Sequence, residues 1–530
     1  MNWSRRLLPA VLLLALALRL WGIGFGLPFA YARPDETEIA GPAVGFLSGD
    51  LRPPFFQWPT LFTYVVALMY AIYGSLAGAL TGFASLADFA ESRRQNIAPF
   101  LLAGRFLSMS MGVVTVWAVY AVGRRVFGEI VGIVAALFLA VALLHVRDSH
   151  FGVTDVAMTG LVVLAVLAIM RWRDEPGLGR AVVAGAATGL AGTTKYNGLG
   201  VGLCFLVALT QVLAQRRPDR VKLGSISLAC FAAATLVAFV GGSPYIVVDW
   251  PRFVRDISAV ENTIETGHGL NLGVGWWYFG TVLLPAGVGW PMWLASLAGA
   301  ILLTTTRARG SLPVVVFPLA YYAFAGRGYA VFARYIVPVV PFVCLAAAWF
   351  LVYVAGIGAA GAAPAKRWLL FALLVVLVAA PTARQSLQLD RLLAREDNRL
   401  VAATGVVDAV PAGSVVCQTG AAYGRAPLSL NERSRSYVDC EYDERVGRFS
   451  GDAQWVLVQR SPLVLYSPVP PALEQLLRDQ YTLAASFPAA RPESRDRLYD
   501  QQDAFYLPLR GFSGIQRPGP SFDLYRRRTD

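Results

Sequence analysis

Residues 7–38 read LLPAVLLLALALRLWGIGFGLPFAYARPDETE, an apolar run followed at once by an acidic segment. The run from Leu7 to Leu27 is long enough to cross a hydrocarbon core of about 30 Å as a helix. It follows Arg5 and Arg6, and no small-residue cleavage site comes before the acidic segment. We therefore predict a retained first membrane helix and not a removed signal peptide.

Long apolar runs continue through most of the chain. Of its 530 residues, 56% are hydrophobic and 15% are charged, whereas soluble domains carry roughly 25% charged residues. The chain up to residue 382 is therefore predicted to be an all-α polytopic membrane bundle. Runs that nearly or fully span a membrane start near Leu7, Thr60, Phe100, Ile130, Phe151, Ala181, Leu199, Leu223, Trp276, Leu312, Tyr329 and Trp368.

The tail, residues 383–530, has a different composition. In it 37 of 148 positions are charged, which is ordinary for a soluble domain. Ser414–Cys417 and Gln454–Gln459 have the pattern of short buried strands, and Ala472–Leu477 has the pattern of a helix. We therefore predict two domains, a membrane domain in residues 1–382 and a small α/β domain in the tail.

The tail contains two cysteines, Cys417 and Cys440. They would pair if the tail faced an oxidising compartment, but their spacing in the sequence does not decide this. The other three cysteines lie in apolar runs and are expected to be buried.

Basic residues between the apolar runs predict the topology. If the run from Thr60 to Leu80 does not cross the membrane, 15 loop Lys and Arg residues share the side of the N-terminus and 10 face the other side. If that run crosses, the two counts are exchanged. Because cytoplasmic loops are enriched in Lys and Arg, we expect about 11 crossings plus juxtamembrane helices, with an extracytoplasmic tail.

The net charge of +12 is spread over these short clusters, so nucleic acid is not an expected partner.

Two outer segments contain unusual polar residues. Asp35 and Glu36 follow the first helix directly, where a solvated loop start is the simpler interpretation of an acidic pair. In the second segment, His145, Asp148 and His150 are candidate metal ligands. The two histidines are five residues apart, whereas helical ligands lie at i, i+3 or i+4. We therefore expect no metal to be required.

Four further residues lie near the predicted outer face. Asp155 opens an apolar run, where a carboxylate either caps a helix or binds a ligand. Lys195 separates two apolar runs, and snorkelling explains such a lysine. Arg334 is flanked by aromatic residues, and a partly buried arginine at an interface suits a lipid phosphate. His268 lies in a Gly-rich loop, where packing or solvation is commoner than catalysis.

Several short motifs occur in one order over roughly residues 7–380. That order resembles the GT-C glycosyltransferases of the family 39 or protein O-mannosyltransferase type, including the lipid A aminoarabinose transferases. The motifs are the acidic pair at Asp35, Gln57-Trp58-Pro59-Thr60-Leu61, Arg105 opening a helix that ends Gly-Arg-Arg-Val-Phe-Gly, Asp155, Thr194-Lys195-Tyr196-Asn197-Gly198, and Phe332-Ala333-Arg334-Tyr335-Ile336-Val337-Pro338.

The resemblance implies a fold and an activity. It implies a multi-pass protein of the bacterial inner membrane, with residues 1–382 as the catalytic domain and the active site on the extracytoplasmic side. The implied substrates are a sugar on a polyprenyl phosphate in the lipid bilayer and an acceptor hydroxyl of a protein, lipid or polysaccharide. A single displacement would invert the anomeric carbon. No cofactor is implied.

The resemblance also implies roles for particular residues. Asp35 matches the general base, Glu36 its partner and Asp155 a second carboxylate, while Arg334 and Lys195 are candidates for the donor phosphate. We expect the acidic pair and Arg334 to share one outer pocket. Where the family has His-Pro-Pro-Leu this chain has Gln57-Trp58-Pro59-Thr60-Leu61, so one histidine contact is missing. Other pocket candidates are Tyr335, His150, Arg105, His268 and Trp58.

Two other functions remain open for such a chain. One is a transporter or flippase of lipid-linked sugars, although such proteins commonly have internal repeats and charges at the membrane midplane. We find no duplicated pattern, and the charges cluster at one predicted face. The other is a polysaccharide polymerase or ligase, which uses the same class of donor and a larger acceptor.

Overall fold

The computed structural model describes residues 4–81, 85–93, 97–215, 219–305, 311–357, 364–430, 437–443, 446–491 and 496–528. The chain divides into two compact units. The helical unit comprises Met1–Leu20, Glu38–Gln95 and Ala103–Leu387. The mixed unit comprises Trp21–Thr37, Asn96–Leu102 and Gln388–Asp530. The predicted boundary after residue 382 falls inside a helix, Ala365–Leu393.

Each of the twelve apolar runs contains a helix, because a chain in an apolar solvent must satisfy its backbone hydrogen bonds within the segment. The α-helices are α1 Ser4–Leu20, α2 Glu36–Gly45, α3 Leu61–Thr81, α4 Leu86–Arg93, α5 Ala98–Phe127, α6 Glu129–Val141, α7 Leu143–Ser149, α8 Thr154–Asp174, α9 Leu178–Thr194, α10 Gly202–Leu213, α11 Arg220–Gly242, α12 Tyr245–Val248, α13 Trp250–Thr266, α14 Gly275–Tyr278, α15 Leu284–Val288, α16 Trp290–Thr305, α17 Leu312–Ala325, α18 Val340–Val354, α19 Ala365–Leu393, α20 Asn398–Ala409 and α21 Pro471–Gln480. Shorter helical turns are Ala30–Ala32, Phe46–Ser48, Tyr196–Val201, Phe279–Leu283, Ala333–Val339, Ala422–Gly424 and Leu428–Leu430.

Several helices have the length and hydropathy of membrane spans. Within the described part of the chain, six helical stretches meet both criteria, and α6 with α7 form a seventh that is bent by 60°. Four more apolar helices are shorter, among them Leu61–Leu76 in the run predicted not to cross. The total of about 11 crossings therefore stays a prediction.

Small residues bring neighbouring helices of the helical unit close together. Gly185 and Gly189 lie one turn apart on α9, where an added Cβ would collide with the backbone oxygens of Phe231 and Thr235 on α11. This spacing of two glycines allows two helix backbones to approach within a membrane.

The run that starts at Trp276 is not one straight helix. α15 ends at Val288, Gly289 follows it with a φ of +82°, and α16 begins at Trp290. Glycine adopts this left-handed conformation without the steric cost that a Cβ imposes. The break therefore has a local cause in the sequence.

The mixed unit contains a six-stranded sheet. Its strands are β1 Val415–Gln418, β2 Val438–Asp443, β3 Arg448–Phe449, β4 Trp455–Arg460, β5 Tyr481–Phe487 and β6 Ser521–Arg527. Their order in the sheet is β3-β2-β1-β4-β6-β5. β1 pairs in parallel with β2 and β4, while the outer pairs are antiparallel. The predicted strands at Ser414–Cys417 and Gln454–Gln459 correspond to β1 and β4.

Alternation along β4 gives the sheet two apolar faces. Trp455 and Leu457 belong to a core with α20, whereas Val456 and Val458 belong to a second core with α21. Side chains of a strand alternate between faces, so a strand this apolar needs cover on both sides. The tail is therefore a three-layer α/β domain, with α20 on one face and α21 on the other.

Cys417 and Cys440 form a disulfide between β1 and β2. They are paired in register, and their Cα atoms are 4.3 Å apart. The bridge closes a loop over a sequence separation of 23 residues. A loop of this size gives a stabilisation of about 3 kcal/mol in the chain-entropy model.

Removal of this bridge should destabilise the mixed unit. We expect Cys440→Ala to lower the free energy of unfolding of the α/β domain by about 3 kcal/mol, measured by denaturant titration of the full-length protein in detergent. Cys230→Ala, at a free cysteine on α11, is the matched control. A C440A protein as stable as this control would contradict the prediction.

Candidate active site

Lys195 and Asp155 form an ion pair in the helical unit. Asp155 is the second residue of α8, and Lys195 follows the last residue of α9 in extended backbone conformation. Lys195 Nζ lies 2.6 Å from Asp155 Oδ1, with the Lys195 side chain 20% exposed and that of Asp155 4% exposed. Asp155 is therefore neither a helix cap nor a solvated carboxylate, and Lys195 does not simply extend into solvent.

Arg334 and Lys195 both approach the ring of Tyr335. Lys195 Nζ is 4.9 Å from the ring centroid, and Arg334 Cζ is 5.6 Å from the same centroid. Arg334 and Tyr335 lie in the turn Ala333–Val339, and both are half-buried. Two predicted phosphate ligands from distant parts of the sequence are thus brought together around one aromatic side chain.

His268 adjoins the same group through Phe332. The rings of His268 and Phe332 are 5.2 Å apart, and Arg334 Cζ lies 4.2 Å from the centroid of the Phe332 ring. The histidine is exposed. We call Asp155, Lys195, Phe332, Arg334 and Tyr335 the cation cluster, and His268 lies at its edge.

Two polar residues that the sequence did not single out support the cation cluster. Asn197 donates through Nδ2 to the Tyr321 hydroxyl at 2.8 Å, and that hydroxyl donates to the Tyr335 carbonyl at 3.0 Å. Asn197 lies in the Thr-Lys-Tyr-Asn-Gly motif, so its position was a usable signal, whereas Tyr321 is one of many aromatic residues in an apolar run. Both residues line a cavity of about 220 Å³ with Gly200, Leu203, Phe317, Ala320 and Phe324.

Trp58 lies in a proline-containing segment whose backbone is hydrogen-bonded to two other parts of the chain. The backbone of Phe56 accepts a hydrogen bond from the Tyr196 hydroxyl at 3.0 Å and donates one to Asp256 at 2.8 Å. Trp58 itself packs edge-on against Phe55. Tyr196 thus links this segment to the turn that follows Lys195.

The three candidate metal ligands have other partners. His145 Nδ1 is 2.9 Å from the buried Arg19 guanidinium, and Asp148 pairs with Arg147 at 3.1 Å. His150 Nδ1 lies 2.9 Å from the carbonyl oxygen four residues earlier. Among the residues that the structure describes, no three His, Cys, Asp or Glu side chains are grouped as a metal site would require.

Arg105 is fully buried in α5. Its backbone approaches Gly152, where an added Cβ would lie 3.1 Å from the Arg105 nitrogen. The turn that follows His150 therefore packs against α5 at this point. Arg105 is a buried polar residue of the bundle at the level of the second predicted outer segment.

Asp35 and Glu36 belong to the mixed unit. Asp35 has a φ of +69°, the one positive value for a non-glycine residue in the described chain. It is half-buried, whereas Glu36 is only 1% exposed and begins α2. Such a conformation costs of order 1–3 kcal/mol and clusters at functional sites, so the backbone at Asp35 is held in place by its surroundings.

The charges of the cation cluster favour an anion. Lys195 and Arg334 place two cations beside the rings of Phe332 and Tyr335. Arginine and lysine in partly dry surroundings bind phosphate through charge-assisted hydrogen bonds. The side chains of the cluster are therefore of the kind that suits a phosphate group, and the Lys195 ammonium carries three N–H donors, one of which is directed at Asp155.

Comparison with known proteins supports the resemblance. Residues 101–243 match the family model described as dolichyl-phosphate-mannose-protein mannosyltransferase. In a comparison with curated proteins, no significant sequence match is found. The family match includes Asp155 and Lys195.

Two solved structures share the fold. ArnT from Cupriavidus metallidurans bound to undecaprenyl phosphate is 17% identical, with a TM-score of 0.52 over 92% of this chain and 96% of ArnT. The archaeal oligosaccharyltransferase AglB from Archaeoglobus fulgidus, in complex with an inhibitory peptide and a dolichol-phosphate, is 13% identical, with a TM-score of 0.53. That match covers 77% of this chain and 58% of AglB, so the chain spans less than two thirds of AglB. The resemblance to GT-C glycosyltransferases is thus confirmed for the fold and for residues 101–243.

Proposed function

We propose that the protein is an integral-membrane glycosyltransferase that moves a sugar from a polyprenyl phosphate to an acceptor hydroxyl. The observation that carries the proposal is the cation cluster, in which Lys195 and Arg334 approach one Tyr335 ring beside the buried Asp155. It belongs to a chain with the fold of ArnT, which was solved with undecaprenyl phosphate bound.

The proposed reaction is one displacement at the anomeric carbon. The acceptor oxygen forms a bond to that carbon while the bond between the carbon and the phosphate oxygen breaks. Asp35 takes the acceptor proton as general base, and Glu36 supports it. The polyprenyl phosphate leaves with its negative charge, which Lys195 and Arg334 stabilise. Attack from the side opposite the phosphate inverts the configuration.

Asp155 has a supporting role in this proposal. It holds the Lys195 ammonium at 2.6 Å and so orients it toward the Tyr335 ring. It also reduces the repulsion between two neighbouring cations when no phosphate is bound. Asp155 is therefore a positioning residue for the lysine in this proposal.

We further propose that the reaction takes place outside the cytoplasm of a bacterial inner membrane. The distribution of basic loop residues favours that orientation. The disulfide in the tail also supports it, because such bonds persist in oxidising compartments. In this proposal residues 1–382 form the catalytic membrane domain and residues 383–530 an outer domain.

Reconstitution tests the proposed function. Purified protein in liposomes would receive undecaprenyl phosphate carrying a radiolabelled sugar, together with membrane and periplasmic extracts as the source of acceptor. We expect covalent transfer of label to an acceptor, and loss of transfer in Asp35→Asn. Movement of the donor across the bilayer without transfer would instead support a transporter or flippase. Label in long polysaccharide would support a polymerase or ligase.

A further inference from the structure

We propose that the C-terminal α/β domain positions Asp35 by binding residues 25–33, with Arg33 and Asp503 as the positioning pair. The proposal rests on the proposed role of Asp35 as general base. It gives the tail a function in catalysis itself. All the residues concerned belong to the mixed unit.

The segment binds where α/β sheets ordinarily bind ligands. β1 has parallel neighbours on both sides, and the chain runs from β1 to β2 and β3 on one side before it returns to β4 on the other side. Ligands of open α/β sheets bind beyond the carboxyl ends of the strands at such a point. Here the turn Ala422–Gly424, which follows β1, contacts the turn Ala30–Ala32. The chain's own segment therefore lies at this position.

Arg399 at the start of α20 presents a flat surface to the segment. Asp397 accepts hydrogen bonds from Arg399 Nε at 2.8 Å and from Nη2 at 2.6 Å. Arg399 Nη1 also donates to the Tyr423 carbonyl at 2.6 Å. The guanidinium held in this way lies 4.9 Å from the centroid of the Phe29 ring, a favourable cation–π distance.

Aromatic contacts fix the segment at two further points. The rings of Phe25 and Phe505 meet edge to face at 5.9 Å, and those of Tyr31 and Tyr423 at 6.3 Å. Edge-to-face pairs of this kind are favourable beyond the area that they bury. These contacts hold both ends of the segment against the α/β domain.

The ion pair between Arg33 and Asp503 involves a residue two positions before Asp35 in the sequence. Arg33 Nη1 donates to Asp503 Oδ1 at 2.7 Å, with both side chains at most 1% exposed. A buried pair of charges is costly to break, because one charge then remains without compensation. Its geometry is therefore well defined, and it holds the backbone two residues before the proposed base.

Only one residue separates this pair from Asp35. Pro34 is buried and has a restricted φ, so little backbone freedom remains between Arg33 and the carboxylate. The positive φ of Asp35 and the burial of Glu36 complete the constraint. A misplacement of about 1 Å in a catalytic group lowers rates by roughly 100-fold, so loosening this pair should affect turnover.

Asp503→Asn and Phe505→Ala in the full-length protein test the proposal, because they remove two separate contacts. We expect each to lower kcat about 10- to 100-fold while the KM for an undecaprenyl-phosphate sugar stays within about threefold. Asp503→Glu should recover part of kcat. Hydrogen exchange of residues 25–37 should become faster in both variants, with exchange of β1 and β4 unchanged.

Glu474→Gln is the matched control, because Glu474 pairs with Arg460 elsewhere in the same domain. It should change neither kcat nor the exchange of residues 25–37. Unchanged exchange in Asp503→Asn and Phe505→Ala would overturn binding of the segment by the domain. Faster exchange with wild-type kcat would overturn the positioning role. If the wild type transferred no sugar at all, the proposed function would fail, while the exchange comparison would still decide whether the domain holds the segment.

Discussion

Asp35→Asn should lower the rate of sugar transfer by at least about 100-fold while the protein still folds and inserts into the membrane. General-base catalysis contributes typically 10²- to 10⁴-fold, and an amide cannot accept the acceptor proton. The amide has nearly the same shape as the carboxylate, so the backbone at this residue should persist. Initial rates at saturating donor and acceptor measure the effect.

The control for this variant is Glu38→Gln. Glu38 is an exposed carboxylate three residues further along the chain, and its loss removes the same charge without touching the proposed base. We expect Glu38→Gln to retain near wild-type rates. If Asp35→Asn did the same, Asp35 would have no role as general base.

Arg334→Ala should raise the KM for the donor about 10- to 100-fold and change the KM for the acceptor much less. Hydrogen bonds to charged groups contribute about 1.5–3 kcal/mol each, and the arginine would make one or two of them to the donor phosphate. Initial rates measured as a function of donor concentration give this effect. Arg334→Lys should restore part of donor binding, because it keeps the charge and loses the planar fork of donors.

Arg255→Ala is the corresponding control. Arg255 is an exposed arginine on α13, whose partner Asp256 is 3.8 Å away. Arg255→Ala removes one positive charge from the helical unit outside the cation cluster, so the KM for the donor should not change. An equal effect of both variants would mean that the general positive charge of the protein attracts the donor and that Arg334 has no specific contact with the phosphate.

Much of the secondary structure could be predicted because apolar runs are a strong local signal. The run near Leu223 corresponds to α11, and the pattern at Gln454–Gln459 corresponds to β4. The strands β5 and β6 were not predicted. Each has polar or exposed residues on one face, and their antiparallel pairing depends on contacts between distant parts of the tail.

The sequence singled out individual residues of the cation cluster but not how they pair. The sequence suggested Lys195 as a candidate for the donor phosphate and Asp155 as a second carboxylate, whereas the structure joins the two in an ion pair. Sequence motifs identify which side chains are unusual for their surroundings. They do not specify which partner lies beside each one, since that follows from the packing of α8, α9 and the turn Ala333–Val339.

Buried charges within apolar runs were the weakest part of the prediction. Arg19 was an isolated cation in the first run, and nothing in the sequence indicated a partner for it. It is fully buried and donates to Ser149, to backbone oxygens of α6 and, at 2.9 Å, to His145. The histidine pattern that suggested a metal site thus includes a hydrogen bond to α1.

The pair of Arg33 and Asp503 joins residues 470 positions apart in the chain. During synthesis on the ribosome, Arg33 emerges long before its partner is translated. The strand β6, which lies between β4 and β5 in the sheet, is translated later still. The loop with Asp35 can therefore reach its final conformation only after Asp503 has been translated, and a chain terminated before that residue would lack the contact that orders this loop even with the preceding helices α1–α19 already formed.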